Sequence, residues 1–202
     1  MQIDIALGAA CAALISGLAV LCANPRRNVN RIYFSLSLHV GVWLLAMRQA
    51  YASEHGLFWL RLTSSVGAFI PLHLWLVKEV IIDPRLVIRR GVRRGVLMAL
   101  ASLFVAVLCF SEFYIPSYST KEAPVFGLGY YGAIFVLLAL YGILVRQTLM
   151  EARRQVGVAR VELNIMLLGG CVAAGGILCF MVLRAIWPSW ELSKIRPQPI
   201  VV

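Results

Sequence analysis

Charged side chains are scarce in this sequence, and acidic ones are the scarcest. Only 14% of the 202 residues are Asp, Glu, Lys or Arg, whereas 61% are hydrophobic. Soluble domains carry about a quarter charged residues because their surface must face water. The shortage excludes an ordinary soluble fold and predicts an integral membrane protein.

Recognisable catalytic and metal-binding patterns are also absent. The sequence contains no GxSxG, no HExxH, no glycine-rich phosphate loop and no metal-spaced His or Asp cluster. Its five cysteines lie inside or at the ends of apolar runs: Cys11, Cys22, Cys109, Cys171 and Cys179. We therefore expect no catalytic apparatus and no cofactor in this chain, and we interpret the cysteines as small hydrophobic residues.

Basic residues outnumber acidic ones, with 19 Lys and Arg against 9 Asp and Glu. Such an excess can indicate nucleic-acid binding, but here the arginines form short clusters between apolar runs. In membrane proteins these clusters set the orientation of the helices in the bilayer. We therefore expect the lipid bilayer as a partner and no nucleic acid.

Six apolar runs have the length of a membrane-spanning helix, which is about 20 residues. They cover approximately residues 3–23, 32–52, 57–82, 96–115, 128–150 and 163–187. Asp4 precedes the first run and arginines follow it, the reverse of a secretory signal, so this run should stay uncleaved. The predicted fold is a single all-α domain over residues 1–202, a polytopic helical bundle with six transmembrane helices.

The connections between these runs alternate in charge. The arginine-rich ones are NPRRNVNR, DPRLVIRRGVRRG and EARRQVGVARVE, and the nearly neutral ones are SEHG and PSYSTKEAPVFGLG. Because positive loops stay in the cytoplasm, the N-terminus is predicted to lie outside. The final segment ELSKIRPQPIVV would then also lie outside, and its apolar end predicts a missing seventh helix beginning near Ile200. A complete six-helix form is the alternative.

Ionisable side chains within the spans are functional candidates, because charge is costly in hydrocarbon. The predicted outer third contains three arginines, one carboxylate and three aromatic residues: Arg48, Arg61, Arg184, Glu112, Trp43, Trp59 and Tyr51. Together they are a hypothetical pocket for an anionic or amphipathic ligand. The alternative is structural, since arginine and tryptophan anchor helix ends at the membrane interface and Glu112 can lock two helices by pairing with an arginine.

Two histidines are predicted deeper in the bundle and at nearly equal depth, His39 in the second run and His73 in the third. Facing imidazoles can hold a haem or a metal ion. Alternatively, hydroxyl groups and backbone carbonyls satisfy them.

The third run contains Pro71 with Gly67 four residues before it, which predicts a kink or local unwinding. Such a site acts as a hinge or is a static bend whose freed carbonyl is satisfied by neighbours. Lys78 and Glu79 end this run, and we expect them at the inner polar boundary.

Several of these segments carry a family resemblance. They are NPRRNVN, the Trp-bearing helix FSLSLHVGVWLLAMRQA, the segment LFWLRLTSSVGAFIP and the glycine-rich ARVELNIMLLGGCVAAGG followed by Pro188. The most specific feature is Trp59-x-Arg61 followed by Phe69 and Pro71, which hydropathy does not require. The chain resembles the seven-helix N-terminal sensor region of bacterial membrane histidine kinases.

The resemblance implies a multi-pass sensor domain of the bacterial inner membrane. It receives a small ligand or a membrane signal and passes it to a kinase or cyclase output domain in cis, generally within a homodimer. The full-length protein would by resemblance be an ATP-dependent protein-histidine kinase, although no output module is present here. The alternatives are a small transporter, which needs a polar path through the midplane, and a haem-binding electron-transfer subunit.

Overall fold

In a computed structural model the chain is described over residues 5–84, 95–119 and 125–186. Within these ranges all regular secondary structure is helical, which confirms the all-α prediction. In chain order the helices are α1 (Ile5–Ala23), α2 (Asn28–Ala52), α3 (Gly56–Gly67), α4 (Ile70–Ile82), α5 (Val96–Leu108), α6 (Leu128–Arg154) and α7 (Gly157–Ile186). Pro188 and the predicted start of a seventh helix at Ile200 lie outside the described residues.

Three described segments are long and apolar enough to cross a membrane: Ala6–Ala23, Gly56–Ile82 and Leu128–Arg154. Val96–Leu108 is a shorter apolar helix. Its 13 residues cover about 20 Å of a hydrocarbon layer about 30 Å thick. These helices indicate a membrane protein. The six crossings, the outside N-terminus and the compartment stay predictions.

Helix ends differ from the ends of the apolar runs. α2 begins at Asn28, and α6 continues to Arg154 through residues that the charge pattern assigns to a loop. Hydropathy predicts which residues lie in the membrane, but it does not predict where a helix ends. Arg, Gln and Glu are polar and yet favour helical backbone, so a helix can continue through them. The chain then turns before Gly157, whose φ of 65° lies in the left-handed region that glycine adopts without strain. α5 ends at Leu108, earlier than predicted.

The third apolar run is two helices instead of one. α3 ends at Gly67 and α4 begins at Ile70, with a turn at Ala68 and Phe69 between them. Pro71 causes the interruption because it has no backbone N–H to donate to the carbonyl of Gly67. The predicted interruption is therefore present, whereas its role as a hinge stays a prediction.

The broken helix lies at the centre of the bundle. α4 packs against α2, α5, α6 and α7, and α3 packs against α2 and α5. α1 lies along α2, where a Cβ atom at Gly41 would come within 3.3 Å of the Leu14 side chain. Small residues thus allow these two helices to approach closely.

Two apolar cores lie at opposite ends of the broken helix. The first joins α3, α5 and α6 through buried residues that include Ala68, Val105, Ile115 and Tyr130. We call this the Arg61 end. The second joins α2, α4, α6 and α7 through Ile32, Val80, Ile81, Ala152 and Leu163. We call this the Arg27 end.

Candidate functional site

Arg61 ties α3 to the segment that follows α5. Its Nη2 lies 3.2 Å from Glu112 Oε1 and donates to the carbonyl of Ile115. Its Nη1 donates to the carbonyl of Phe110 at 3.5 Å. Arg61 Nε is buried and has no hydrogen-bond partner within the described part of the chain. The arginine therefore fastens three points of this segment to the broken helix.

Glu112 is the accessible member of this pair, with 61% of its side chain exposed. Its Oε2 accepts a hydrogen bond from the backbone N–H of Ser117. The pairing of Glu112 with an arginine that the sequence suggests is found here with Arg61.

The three aromatic residues of the hypothetical pocket lie in two different surroundings. Trp43 is buried, in a cluster with Leu44 and Met47 that Tyr51 borders. Trp59 is half-buried and meets Phe58 edge to face. The aromatic neighbour of Trp59 is therefore different from the residues that surround Trp43.

Arg48 and Arg184 complete the predicted set. Arg48 is half-buried on α2 and has partners of its own. Arg184 belongs to α7, but its side chain lies outside the described residues. Of the seven predicted residues, the structure directly pairs Arg61 with Glu112.

Trp43 packs against the helix interruption. A Cβ atom at Gly67 would lie only 3.0 Å from the indole Nε1 of Trp43. The glycine therefore makes room for the indole where α3 ends. The sequence predicts a hinge at Gly67 and a pocket residue at Trp43, and in the structure these two residues pack against each other.

The two predicted histidines form a direct contact across α2 and α4. The Nδ1 atoms of His39 and His73 are 2.9 Å apart, and their ring centroids are 4.5 Å apart. His39 Nε2 lies 2.8 Å from the carbonyl oxygen of Val66. His73 Nε2 lies 3.4 Å from Ser35 Oγ. Four groups from α2, α3 and α4 thus form one polar chain, which runs from the exposed Ser35 to the half-buried contact of the two histidines.

The acceptor at one end of this chain determines where its protons lie. A carbonyl only accepts, so His39 donates from Nε2 to Val66, and in a neutral ring its Nδ1 must then accept. His73 therefore donates from Nδ1, and its Nε2 accepts from Ser35. Donation runs from Ser35 through His73 and His39 to Val66, with each neutral ring in a defined tautomer.

This chain bridges the helix interruption. The Val66 carbonyl belongs to the last turn of α3 and also accepts from the backbone N–H of Phe69 at 3.1 Å. The His73 side chain belongs to α4. His39 on α2 thus binds the helices on both sides of the break, and it supplies a donor to a carbonyl near the free end of α3.

The histidine geometry does not fit a haem iron held between the two Nδ1 atoms as opposed axial ligands. Two imidazole nitrogens on a metal lie about 2 Å from it, which places opposed nitrogens about 4 Å apart. The observed 2.9 Å is a hydrogen-bond distance. Among the described residues no group of three or more His, Cys, Asp or Glu is arranged to hold a metal ion.

The Arg27 end carries further polar connections. Arg27 Nη2 lies 2.7 Å from Glu162 Oε1 and 3.0 Å from Oε2, which joins the start of α2 to α7. Asn28 Nδ2 donates to the carbonyl of Pro84 at 2.9 Å, just after α4. The segment NPRRNVNR is therefore a junction of three helices as well as a predicted orientation signal.

Lys78 is buried, with 4% of its surface exposed, although the sequence predicts a boundary residue. Its Nζ lies 2.9 Å from Glu79 Oε1 and 3.2 Å from Gln147 Oε1 of α6. It also lies 5.5 Å from the ring centroid of Trp75. These partners compensate the buried charge and connect α4 to α6.

No family model, no curated protein and no solved structure matches this chain. Its function is therefore inferred from the geometry of its own residues.

Proposed function

We propose that the chain is the signal-input domain of a bacterial inner-membrane signalling protein. In this proposal it crosses the membrane six times from an outside N-terminus, and a seventh helix leads to a kinase or cyclase domain in the cytoplasm. The Arg61 end then faces outward and the Arg27 end faces the cytoplasm. The observation that carries the proposal is the histidine chain across the interrupted central helix.

A sensor needs two arrangements that a ligand stabilises differently. The interruption between α3 and α4 provides an element that can change its angle with little loss of backbone hydrogen bonding. The bond between His39 and His73 stabilises one angle, because it holds both halves to α2. Breaking this bond favours the other arrangement.

The Arg61 end is the proposed point of input. Glu112 is exposed and forms an ion pair with the Arg61 guanidinium. An anionic ligand competes with Glu112 for this cation and thereby loosens the segment after α5 from α3. The ligand class is therefore a small anion or an amphipathic molecule with an anionic group.

The Arg27 end is the proposed point of transmission. α4 ends beside the start of α2 through Asn28, and α2 is joined to α7 through Arg27 and Glu162. A change in the direction of α4 therefore reaches α7, the last described helix. In the proposed topology α7 precedes the helix that leads to the output domain, in a homodimer.

Arg61→Ala in the full-length gene product tests this role. We expect a severalfold change in basal autophosphorylation or cyclase activity in membranes, because loss of the guanidinium frees the segment after α5. Arg146→Ala is the matched control, since Arg146 is an exposed arginine on α6.

Two outcomes contradict the proposal. One is an Arg61→Ala variant that inserts normally into the membrane and has unchanged basal autophosphorylation or cyclase activity. This result removes Arg61 from signal input. The other is a natural reading frame without any cytoplasmic output module, which removes the signalling role itself.

A small transporter is the second candidate, favoured by the polar chain of Ser35, His73 and His39 between α2 and α4. Transport needs this chain to connect both membrane faces. Proton uptake by sealed vesicles containing the chain, lost in His39→Ala, would favour this function over signalling.

A further inference from the structure

The turn between α6 and α7 carries an unusual combination of exposed side chains. Val156, Val158 and Val161 are 82%, 68% and 55% exposed. Three exposed arginines lie among them, Arg153, Arg154 and Arg160. We call these six residues the arginine–valine surface. Water favours the arginines but not three neighbouring exposed valines, so the combination indicates an interface between an apolar and a charged environment.

The valines continue a lipid-facing stripe of α7. Exposed apolar residues recur along this helix at intervals of three and four: Val158, Val161, Ile165, Leu168 and Val172. This spacing places them on one face of the helix. In a membrane-spanning helix such a face contacts lipid, and it runs without interruption to Val158. The side of the turn that carries Val158 therefore faces lipid as well.

The arginines continue the corresponding stripe of α6. Exposed positions Phe135, Leu138, Arg146, Leu149 and Arg153 follow the helical period on this helix. The face that contacts lipid along α6 thus becomes basic towards its end. Arg153 and Arg160 make no ion pair with a described residue, and Arg154 has only a 3.8 Å contact with Glu151. All three arginine side chains are exposed.

The depth of the turn matches the headgroup layer. The ion pair with Arg27 places Glu162 level with the turn between α1 and α2, where the apolar helix α1 ends. Val158, the member of the surface on α7 that is farthest from Glu162, lies four residues before it, or about 6 Å along the helix. The headgroup layer is about 5–7 Å thick on each side of the hydrocarbon. The arginine–valine surface therefore occupies the level of lipid phosphates.

We propose that the arginine–valine surface is a binding site for anionic phospholipid headgroups. Arg153 and Arg160 bind the phosphate and headgroup charges, and Val158 and Val161 lie against the adjoining acyl chains. This inference goes beyond signal input and requires only that α6 and α7 cross the membrane. Because Arg27 and Glu162 join α2 to α7 beside this surface, the lipid composition of this leaflet stabilises one position of α7.

The test uses the full chain with its native cysteines replaced by alanine and an environment-sensitive dye on Val158→Cys. The chain is reconstituted in phosphatidylcholine alone and in phosphatidylcholine with phosphatidylglycerol. We expect the dye emission to shift to the blue when phosphatidylglycerol is present, and the shift to shrink at high salt. The same dye on Tyr118→Cys, at the Arg61 end, should not respond.

Arg153→Gln combined with Arg160→Gln should weaken the response to phosphatidylglycerol by about 30-fold, since each basic side chain at an anionic surface contributes about 1 kcal/mol. Arg26→Gln is the control, because it removes an exposed charge at the same end but outside the surface. Both variants should fold, since these side chains are exposed.

Two results would overturn the proposal. An equal blue shift in both lipids that survives the double substitution means that the surface meets lipid without recognising its charge. A dye that stays in water in both lipids means that the surface is open to another partner, such as an acidic protein.

Discussion

At the scale of single residues, Trp43 and Gly67 connect two features that the sequence keeps apart. The indole fills the space beside Gly67, where α3 ends. The sequence indicates a weak point at this glycine, but it does not indicate that an aromatic ring from α2 is packed against it. This contact depends on the alignment of α2 with α3, which hydropathy does not contain.

Gly67→Ala should lower the stability of the protein. Its Cβ atom would lie 3.0 Å from a buried, rigid indole, and overpacking of this kind costs about 1–3 kcal/mol. Gly132→Ala on α6 is the matched control, since a Cβ atom there meets nothing within 4 Å. It should be neutral or stabilising by up to about 1 kcal/mol. Thermal unfolding of both variants in the same detergent checks this, and equal midpoints would contradict the close packing at Gly67.

Arg61 and Glu112 illustrate what can be predicted for a charged pair. Their predicted depths are similar, and the structure places them in contact. The sequence could not choose Arg61 over Arg48 or Arg184, because all three have the same predicted depth. Nor could it indicate the Ile115 and Phe110 carbonyls, which become acceptors only because α5 ends at Leu108.

At the scale of elements, the sequence predicts the interruption between α3 and α4. It does not predict the contact of His39 with His73 that holds the two halves to α2. Proline in the middle of an apolar run removes one backbone donor wherever the helix lies. The contact of His39 with His73, in contrast, requires α2 and α4 to be in register and the two residues to be on facing sides. Equal predicted depth is necessary for that contact but not sufficient.

A double-mutant cycle on His39 and His73 tests the bond between them. We expect His39→Ala and His73→Ala each to destabilise the protein, and their combination to cost less than the sum by about 0.5–1.5 kcal/mol. Ser35→Ala should have a smaller effect because its contact with His73 is long, at 3.4 Å. Denaturant unfolding in one detergent measures the wild-type protein and these four variants. Strictly additive effects of the two histidine substitutions would contradict a direct bond between them.

At the scale of the whole molecule, the charge pattern and the contacts at the helix ends divide the connections into the same two groups. Arg27, Pro84 and Glu162 meet at one end of the bundle. Arg61 and the segment after α5 meet at the other. The direction of the bundle in the membrane is a prediction from the positive loops.

Cysteine labelling tests that direction. In a chain whose native cysteines are replaced by alanine, Tyr118→Cys should react with a membrane-impermeant maleimide on intact cells. Val156→Cys should react only after permeabilisation, because the neighbouring arginines hold that end in the cytoplasm. Both side chains are exposed in the structure. Labelling of Val156→Cys on intact cells would reverse the proposed orientation.

The sequence by itself determined the all-helical membrane class, the interruption at Pro71 and the separation of the arginines into clusters. These properties follow from local chemistry, namely apolar content, the missing N–H of proline and the cost of charge in hydrocarbon. Only the tertiary structure decided that the broken helix is central, that His39 binds His73 across it, and that Arg27 joins α2 to α7. Each of these depends on which helix faces meet, and that choice is made by packing among all the helices together.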